Sequence, residues 1–573
     1  MDSNKDLKTR LVVVSFYIPG IYPPGEDSVV LNLLAPAYLK AAVDSDPELS
    51  AKYETIILDV PTNAQQEEVL SQIRNYNPKI VLYSVYIWNY NQALSNSRLL
   101  KNLMPDTHLI MGGPQVSYNA EDLLKENPQV DAIVKGSGEL IFKMILQSDL
   151  SPKSYSEIPS LAYRDNGKIM SSTGSIQEDL SKVPSPYQTG AINLNDGRRH
   201  TVCMELSRGC VFRCQYCVWG DRNVSMRKFP LQQLLKDIEI IYNSPNVAVV
   251  YFVDSCIFYM RDYAEKIIDK ITECKYKNIP TVLTLDARVL NEGMIRYLQK
   301  INLIYNQYQF GLQAVNTDTL KIVDRYYVKE KFKEKIDLLR KVNPEAEIGL
   351  DIMFGLPGDN YDKFRETVDF AFKLKASKIY PSPLLLLPGT PFFQDRDKYG
   401  FKADDNPPYM AISNNTYSKE DMQKTFSFVL WVLGIMYFPA LRGTIAKISE
   451  YNLKYLPVEL IDKFIEIMKT RVDPQKGMVF ESTIESNNLN RRKFMNFLSK
   501  PENSLIAYES MLEVLKFCQC EELSRDIEDG IDYYSKICRG FSEEKDPLEF
   551  DNFDMDTIKN IKTLWVRSTT ADI

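Results

Sequence analysis

Histidine is almost missing from this chain: 573 residues contain two, His108 and His200. No histidine is therefore at hand to complete a zinc site beside the cysteines described below. The chain also lacks a basic run, and its net charge is -7, which disfavours nucleic acid as a partner. No apolar run is long enough to span a bilayer. The most apolar window, residues 426–441, falls short of a span and meets Pro439 and Arg442, so it reads as a buried helix and no membrane partner is expected. No G-x-G-x-x-G follows the first strand, which argues against a dinucleotide. The start is polar and reads as having no signal peptide, so the expected location is the cytoplasm. The nine cysteines are odd in number and unevenly spaced. That usage suits a reducing compartment and metal ligation better than disulfides. Hydrophobic and charged fractions of 44% and 25% are those of a globular protein, and the length is too great for one core.

What is present begins with Cys210, Cys214 and Cys217, spaced C-x3-C-x2-C in Ser207-Arg-Gly-Cys-Val-Phe-Arg-Cys-Gln-Tyr-Cys. Three thiolates on one tight loop hold three corners of a cubane and leave the fourth iron open to a small ligand. Structural zinc closes all four positions, commonly with two C-x2-4-C hooks.

From residue 10 to about 145, short continuous apolar strands alternate with helical stretches, which predicts a doubly wound parallel sheet. Strands are expected near 11–17, 55–59, 80–86, 108–111 and 132–134, with a Pro/Gly loop at 19–25 and a first helix over 31–43. Ligands of such sheets sit beyond the strand carboxyl ends. Those ends carry Ser84, Tyr86, Trp88 and Asn89, the turn Gly112-Gly113-Pro114-Gln115, and the turn Gly136-Ser137-Gly138-Glu139. Residues 158–169 read as a hairpin with an Asn-Gly turn, and 183–187 as an extended linker.

After the cysteine loop, strand and helix units recur to about 400, a complete or partial βα barrel. Polar residues at its strand ends are Asp254, Ser255, Asp286, Arg288, Gln313 and Asp351, with the turn Gly355-Leu-Pro-Gly. From about 405 the apolar spacing turns helical, over 419–436, 455–470, 490–498 and 505–520. Cys518-Gln-Cys520 falls in that pattern, where side chains two apart diverge by about 200°. Buried thiols are expected there rather than a second cluster. The implied division is 1–148, 149–198, 199–402 and 403–573.

The cysteine spacing, with Tyr216 before the third cysteine, resembles the radical-SAM superfamily. The glycine turns ahead of it resemble the cobalamin-binding domain that precedes many such barrels. Phe310-Gly-Leu-Gln-Ala, Met353-Phe-Gly-Leu-Pro-Gly and Leu387-Pro-Gly-Thr-Pro are similar to runs in that branch. The resemblance covers about residues 8–400 and implies a [4Fe–4S] cluster on Cys210, Cys214 and Cys217, S-adenosylmethionine (SAM), and cobalamin. It gives Asp254 and Ser255 to the methionine amino group, and Gln313 and Arg325 to its carboxylate or ribose. Cobalamin would lie against Ser84, Tyr86, Trp88, Asn89, Gly112, Gly113, Gln115, Gly136, Gly138 and Glu139. No Asp-x-His-x-x-Gly turn is present, so the lower cobalt face is expected to lack histidine, with Tyr86, Trp88, Asn89 or water beneath it.

The reading that follows is a cobalamin-dependent methyltransferase acting on an unactivated carbon of a small biosynthetic intermediate. In that scheme a 5′-deoxyadenosyl radical removes hydrogen and methylcobalamin supplies the methyl group. The alternative is a radical-SAM enzyme that rearranges or cyclises without methylating, or cleaves SAM differently, with or without cobalamin. A sensor that binds without turnover is the third reading. Partners would be the small substrate and an electron donor such as flavodoxin or ferredoxin.

Overall fold

The computed structural model describes residues 8–18, 29–172, 179–219, 225–451, 454–472 and 487–538. The polar start and the loop at 19–25 lie outside the described residues. Five parallel strands run in the order Tyr53–Pro61, Thr9–Tyr17, Ile80–Ser84, His108–Gly112 and Ala132–Val134. Their continuous apolar sequence has a simple cause. Alternate side chains feed two cores, with Val12, Val14, Val81, Tyr83 and Leu109 on one face and Leu11, Val13, Ile80, Leu82 and Ile110 on the other. The strand order reverses beside Thr9–Tyr17, which opens a crevice at the carboxyl ends of that strand and Ile80–Ser84.

The expected hairpin forms as Leu161–Asp165 and Lys168–Ser171, but it is no mere connector. It pairs antiparallel with Ala132–Val134 and completes a seven-stranded sheet. The expected helix over 31–43 also needs correcting at its start. Residues Val29–Asn32 are a strand, and the helix is Leu34–Asp44. That strand leaves the first sheet and pairs in parallel with Arg199–Met204 of the second. The Asn32 amide donates to His200 Nδ1 at 3.1 Å and to the Thr201 carbonyl at 3.2 Å. His200 is 1% exposed and reaches Asp196 at 2.9 Å, so it is a satisfied core residue.

The second region is a βα barrel wall. Val29–Asn32, Arg199–Met204, Val247–Phe252 and Thr281–Val282 form one four-stranded parallel sheet. Thr284–Leu285, Gln307–Gln313, Glu347–Phe354 and Lys378–Pro383 form another, and Leu283 joins the two.

Beyond it come Lys419–Tyr437, Pro439–Tyr451, Pro457–Arg471, Asn487–Leu498, Pro501–Cys518 and Arg525–Cys538. Pro439, read as a terminator, starts the second of these helices, as proline can at a first helical position. Lys419–Tyr437 is largely buried, with Phe426 edge-on to Phe354 of the barrel at 5.0 Å. No single helix among the described residues is long and apolar enough to cross a membrane. Cys518 ends its helix, Gln519 turns left-handed at φ 55°, and Cys518 and Cys520 are both buried.

Replacing Asn32 by Leu would leave the His200 ring nitrogen and the Thr201 carbonyl without their donor. The expected cost is about 1–3 kcal/mol, read as a lower urea midpoint. An unchanged midpoint would mean that the crossing strand does not unfold with the barrel.

Candidate active site between sheet and barrel

The cysteine loop is closed at its base by a short antiparallel pair, Ser207–Arg208 with Arg227–Lys228. Its middle is tied to the barrel from two sides. The Gln215 N–H donates to the Val323 carbonyl at 3.1 Å, and the Gln215 carbonyl accepts from Phe392 N–H at 3.1 Å. Tyr216 and Cys214 are buried against Ala314, Val323, Leu356 and Leu384. Phe212 carries the Arg288 guanidinium 3.5 Å from its ring centre.

A donor faces each thiol sulfur. Phe212 N–H points to Cys210 Sγ and Trp219 N–H to Cys217 Sγ, both at 3.4 Å. Arg325 Nη1 lies 3.9 Å from Cys214 Sγ. Among the described residues no three His, Cys, Asp or Glu side chains close around a single-ion position.

The three cysteines open onto a cavity of about 140 Å³, together with Tyr216, Ser255, Asp286, Gln313, Arg325 and Asp351. Asp286 is the electrostatic centre of this wall. It accepts from Tyr259 Oη at 2.7 Å and from Arg288 Nε at 2.9 and 3.1 Å, and Arg325 Nη2 stands 4.0 Å away. Burial alone would raise its carboxyl. The Arg288 hydrogen bonds and the charges of Arg325 and Arg288 win instead and hold it at about 2. Gly311 makes this packing possible, because a Cβ there would fall 2.8 Å from Gln313 Nε2 and 3.0 Å from Arg325 Nη2.

A second cavity, of about 610 Å³, lies between the carboxyl ends of the first sheet and the barrel. Ser84, Tyr86, Trp88, Gly112, Gly113, Gly136, Gly138 and Glu139 line its sheet side. Tyr86 and Trp88 stack at 4.4 Å, and the indole donates to the Phe16 carbonyl at 3.0 Å. Gly113 has φ 115°, and a Cβ there would fall 2.4 Å from the Val85 carbonyl. Only glycine allows that approach. A Cβ on Gly136 would meet no protein atom within 4 Å, so the wall is bare at that point. Neither histidine lines either cavity.

The two cavities share a wall made of Trp219, Thr284 and Gln309. The buried Trp219 indole nitrogen has no hydrogen-bond partner among the described residues. Gln309 is fixed by donating to Asp351 at 2.9 and 3.1 Å.

Across the large cavity Arg208 joins the halves of the molecule. It grips Glu139 through Nη2 at 2.6 Å and Nη1 at 3.2 Å, and Glu205 through Nε at 3.1 and 3.2 Å. Tyr118 packs on Gly389, where a Cβ would lie 2.3 Å from its ring, and Gln115 bonds the Tyr409 hydroxyl.

Several expected positions therefore move. Gln115 is turned to Tyr409, and Asn89 is spent on the Ser84 carbonyl and Tyr86 N–H; neither lines the cavity. Ser255 lines the cysteine cavity, but Asp254 lines the large one and accepts from Leu206 N–H at 2.9 Å and Ser207 Oγ at 2.6 Å. Arg288 pairs with Asp286. The C-terminal helices contribute no lining residue to either cavity among those described. Sequence reasoning missed Trp219, Gln309, Glu205 and Arg208. A signal existed for Gln309, since residues 307–313 alternate Gln, Tyr, Gln, Phe, Gly, Leu, Gln, polar or small inward and apolar outward.

Residues 204–371 match the Radical SAM superfamily, and residues 42–146 match the B12 binding domain. The cobalamin-dependent radical SAM methyltransferase TokK of Streptomyces tokunonensis is 26% identical over 218 residues, 36% of this chain and 31% of TokK. A 2-(S-pantetheinyl)-carbapenam-3-carboxylate methyltransferase of Streptantibioticus cattleyicolor is 27% identical over 38% of this chain and 33% of its own length. The chain thus spans about a third of these two relatives. It matches an uncharacterized methyltransferase of Pyrococcus horikoshii more fully, at 23% identity over 62% of this chain and 77% of that one. The fold is shared with the cobalamin-dependent S-adenosylmethionine radical enzyme OxsB (TM-score 0.60, 14% identity, 99% of this chain and 85% of OxsB). It is shared also with the methyltransferase TsrM of Kitasatospora setae (TM-score 0.53, 15% identity, 70% of this chain and 79% of TsrM).

Burial pushes the Glu205 carboxyl up to about 7 from 4.5; the Arg208 charge opposes this, while Asp254 and Glu139 add to it. Asp254 is shifted the same way by burial, to about 6. A carboxyl that binds its proton more tightly when folded adds stability at low pH, and that stability is lost as pH rises through about 7. The unfolding midpoint should therefore fall between about pH 4.5 and pH 7, the ordinary and the raised values of Glu205. The fall should be smaller in Glu205→Gln, whose amide stays neutral; equal slopes would remove Glu205 from the account.

Proposed function

We propose that this radical SAM protein, with a B12-binding domain ahead of its barrel, is a methyltransferase acting on an unactivated carbon of a small molecule. One observation carries the reading. The cysteine-lined cavity and the glycine-walled cavity meet at the common wall of Trp219, Thr284 and Gln309. A carbon held there would be reached from both sides.

The residues fit the groups these domains take. Three cysteine sulfurs on one loop, each facing an N–H donor, suit three corners of an iron–sulfur cluster. Tyr216, Ser255, Gln313 and Asp351 line the space next to them, suited to the polar groups of SAM. Gly112, Gly113, Gly136 and Gly138 keep the opposite wall bare enough to hold a broad flat macrocycle, and Tyr86 and Trp88 line the same cavity. When bound, the cluster supplies one electron for SAM cleavage and cobalamin supplies the methyl group. The chain's own share is positional. Asp351 holds the Gln309 amide still, the Trp219 indole offers a buried donor at the shared wall, and the Arg208 grip keeps the two walls in register. A low-potential one-electron donor of the flavodoxin or ferredoxin kind completes the set.

A second reading is radical chemistry without methyl transfer; OxsB, whose fold spans nearly this whole chain, is named a cobalamin-dependent S-adenosylmethionine radical enzyme with no reaction specified. The test is anaerobic reconstitution with iron, sulfide and hydroxocobalamin, followed by methyl-labelled SAM and a reductant. The expected outcome is bound cobalamin in the optical spectrum, 5′-deoxyadenosine, and label in the cobalamin fraction. Replacing Cys210, Cys214 and Cys217 together by Ala should abolish the 5′-deoxyadenosine and leave cobalamin binding intact. Deoxyadenosine without label transfer would favour the second reading, and absence of both would end the proposal.

A further inference from the structure

Arg325 lies 111 residues from Cys214 in sequence, yet its Nη1 stands 3.9 Å from the Cys214 sulfur. Its Nη2 donates to the Gly311 carbonyl at 2.6 Å, so the guanidinium has a fixed direction. The side chain is only 12% exposed. Backbone N–H groups point to the Cys210 and Cys217 sulfurs, whereas the donor that reaches Cys214 carries a charge. The neighbourhood reinforces that charge. Asp286 is shared by Arg288 and Arg325, one carboxylate against two guanidiniums, so it does not fully offset the charge that Arg325 brings to Cys214.

We propose that Arg325 sets the reduction potential of the iron–sulfur cluster, raising it by holding a positive charge and an N–H against the Cys214 thiolate. This rests on the cluster assignment made above. Reduction adds one electron, taken from a low-potential one-electron donor, and breaks no bond. The reduced cluster carries one more negative charge, so a fixed cation nearby favours it. Hydrogen bonds to the ligand sulfurs and local net charge are among the terms that set such potentials. Arg325 is thus a positioning residue for charge, and its effect does not require SAM.

The experiment uses the full chain, reconstituted anaerobically with iron and sulfide and without SAM. The cluster is titrated in the presence of redox mediators and followed by electron paramagnetic resonance. Arg325→Gln should lower the ratio of reduced to oxidised cluster about tenfold at a fixed potential, equivalent to about 59 mV for one electron. Arg325→Lys, which keeps the charge but loses the fork, should fall between it and the parent. Asp286→Asn removes the opposing charge and should move the ratio the other way. If Arg325→Gln leaves the ratio unchanged and weakens only SAM binding, Arg325 is a ligand contact and the proposal is wrong. If Arg325→Gln holds no cluster, Asp286→Asn decides, and an unmoved or lowered ratio overturns the proposal. A parent chain that takes up iron and sulfide but shows no shift in any variant defeats this inference alone. A parent that takes up neither defeats the functional reading as well.

Discussion

The Arg208 guanidinium, gripped by Glu139 from the first sheet and Glu205 from the barrel, sets where the two cavities stand relative to each other. It lies two residues before Cys210, so the same residue that docks the first sheet also starts the cysteine loop. Tyr38 and Phe229 stack at 5.7 Å, and each ring centre lies within 5.5 Å of the guanidinium carbon, which limits its hydration. Charges so placed are costly to bury and costlier still to leave unpaired. Such a joint has few alternative arrangements, which suits a site whose two halves come from different sheets.

The cysteine loop has little regular structure over its described residues and borrows rigidity from its surroundings. Backbone hydrogen bonds fix Gln215 to Val323 and Phe392, and Phe212 sits under the Arg288 side chain. Asp286 then connects Arg288 to Arg325, which returns to the loop at Cys214. The chain of contacts is closed. A change at Asp286 would be felt at two points of the loop, Phe212 and Cys214.

Much of the fold was legible in the residues because its determinants are local. Continuous apolar strands, glycine turns and helical spacing are read over windows of about ten residues. The strand at Val29–Asn32 was not legible. Its Val-Val-Leu-Asn sequence borders a helical stretch, and its partner Arg199–Met204 lies some 170 residues on. The directions in which Asn89 and Gln115 turn were not legible for a related reason. Position at a strand end says that a side chain is near a ligand crevice, but not which way it turns. Asn89 satisfies two backbone groups of its own turn, and Gln115 meets Tyr409 from a distant segment.

By itself, then, the sequence determined the three thiolates, the parallel strands that present two sets of carboxyl ends, and the shortage of histidine that leaves both cavities without imidazole. Those features depend on residue type and short spacing. Only the tertiary structure decided that Glu139 meets Arg208, that Arg325 faces Cys214, and that Trp219, Thr284 and Gln309 form one wall between two cavities. Each of those contacts joins segments far apart in the chain. The packing of whole sheets, which no local window contains, is what brings them within a few ångströms.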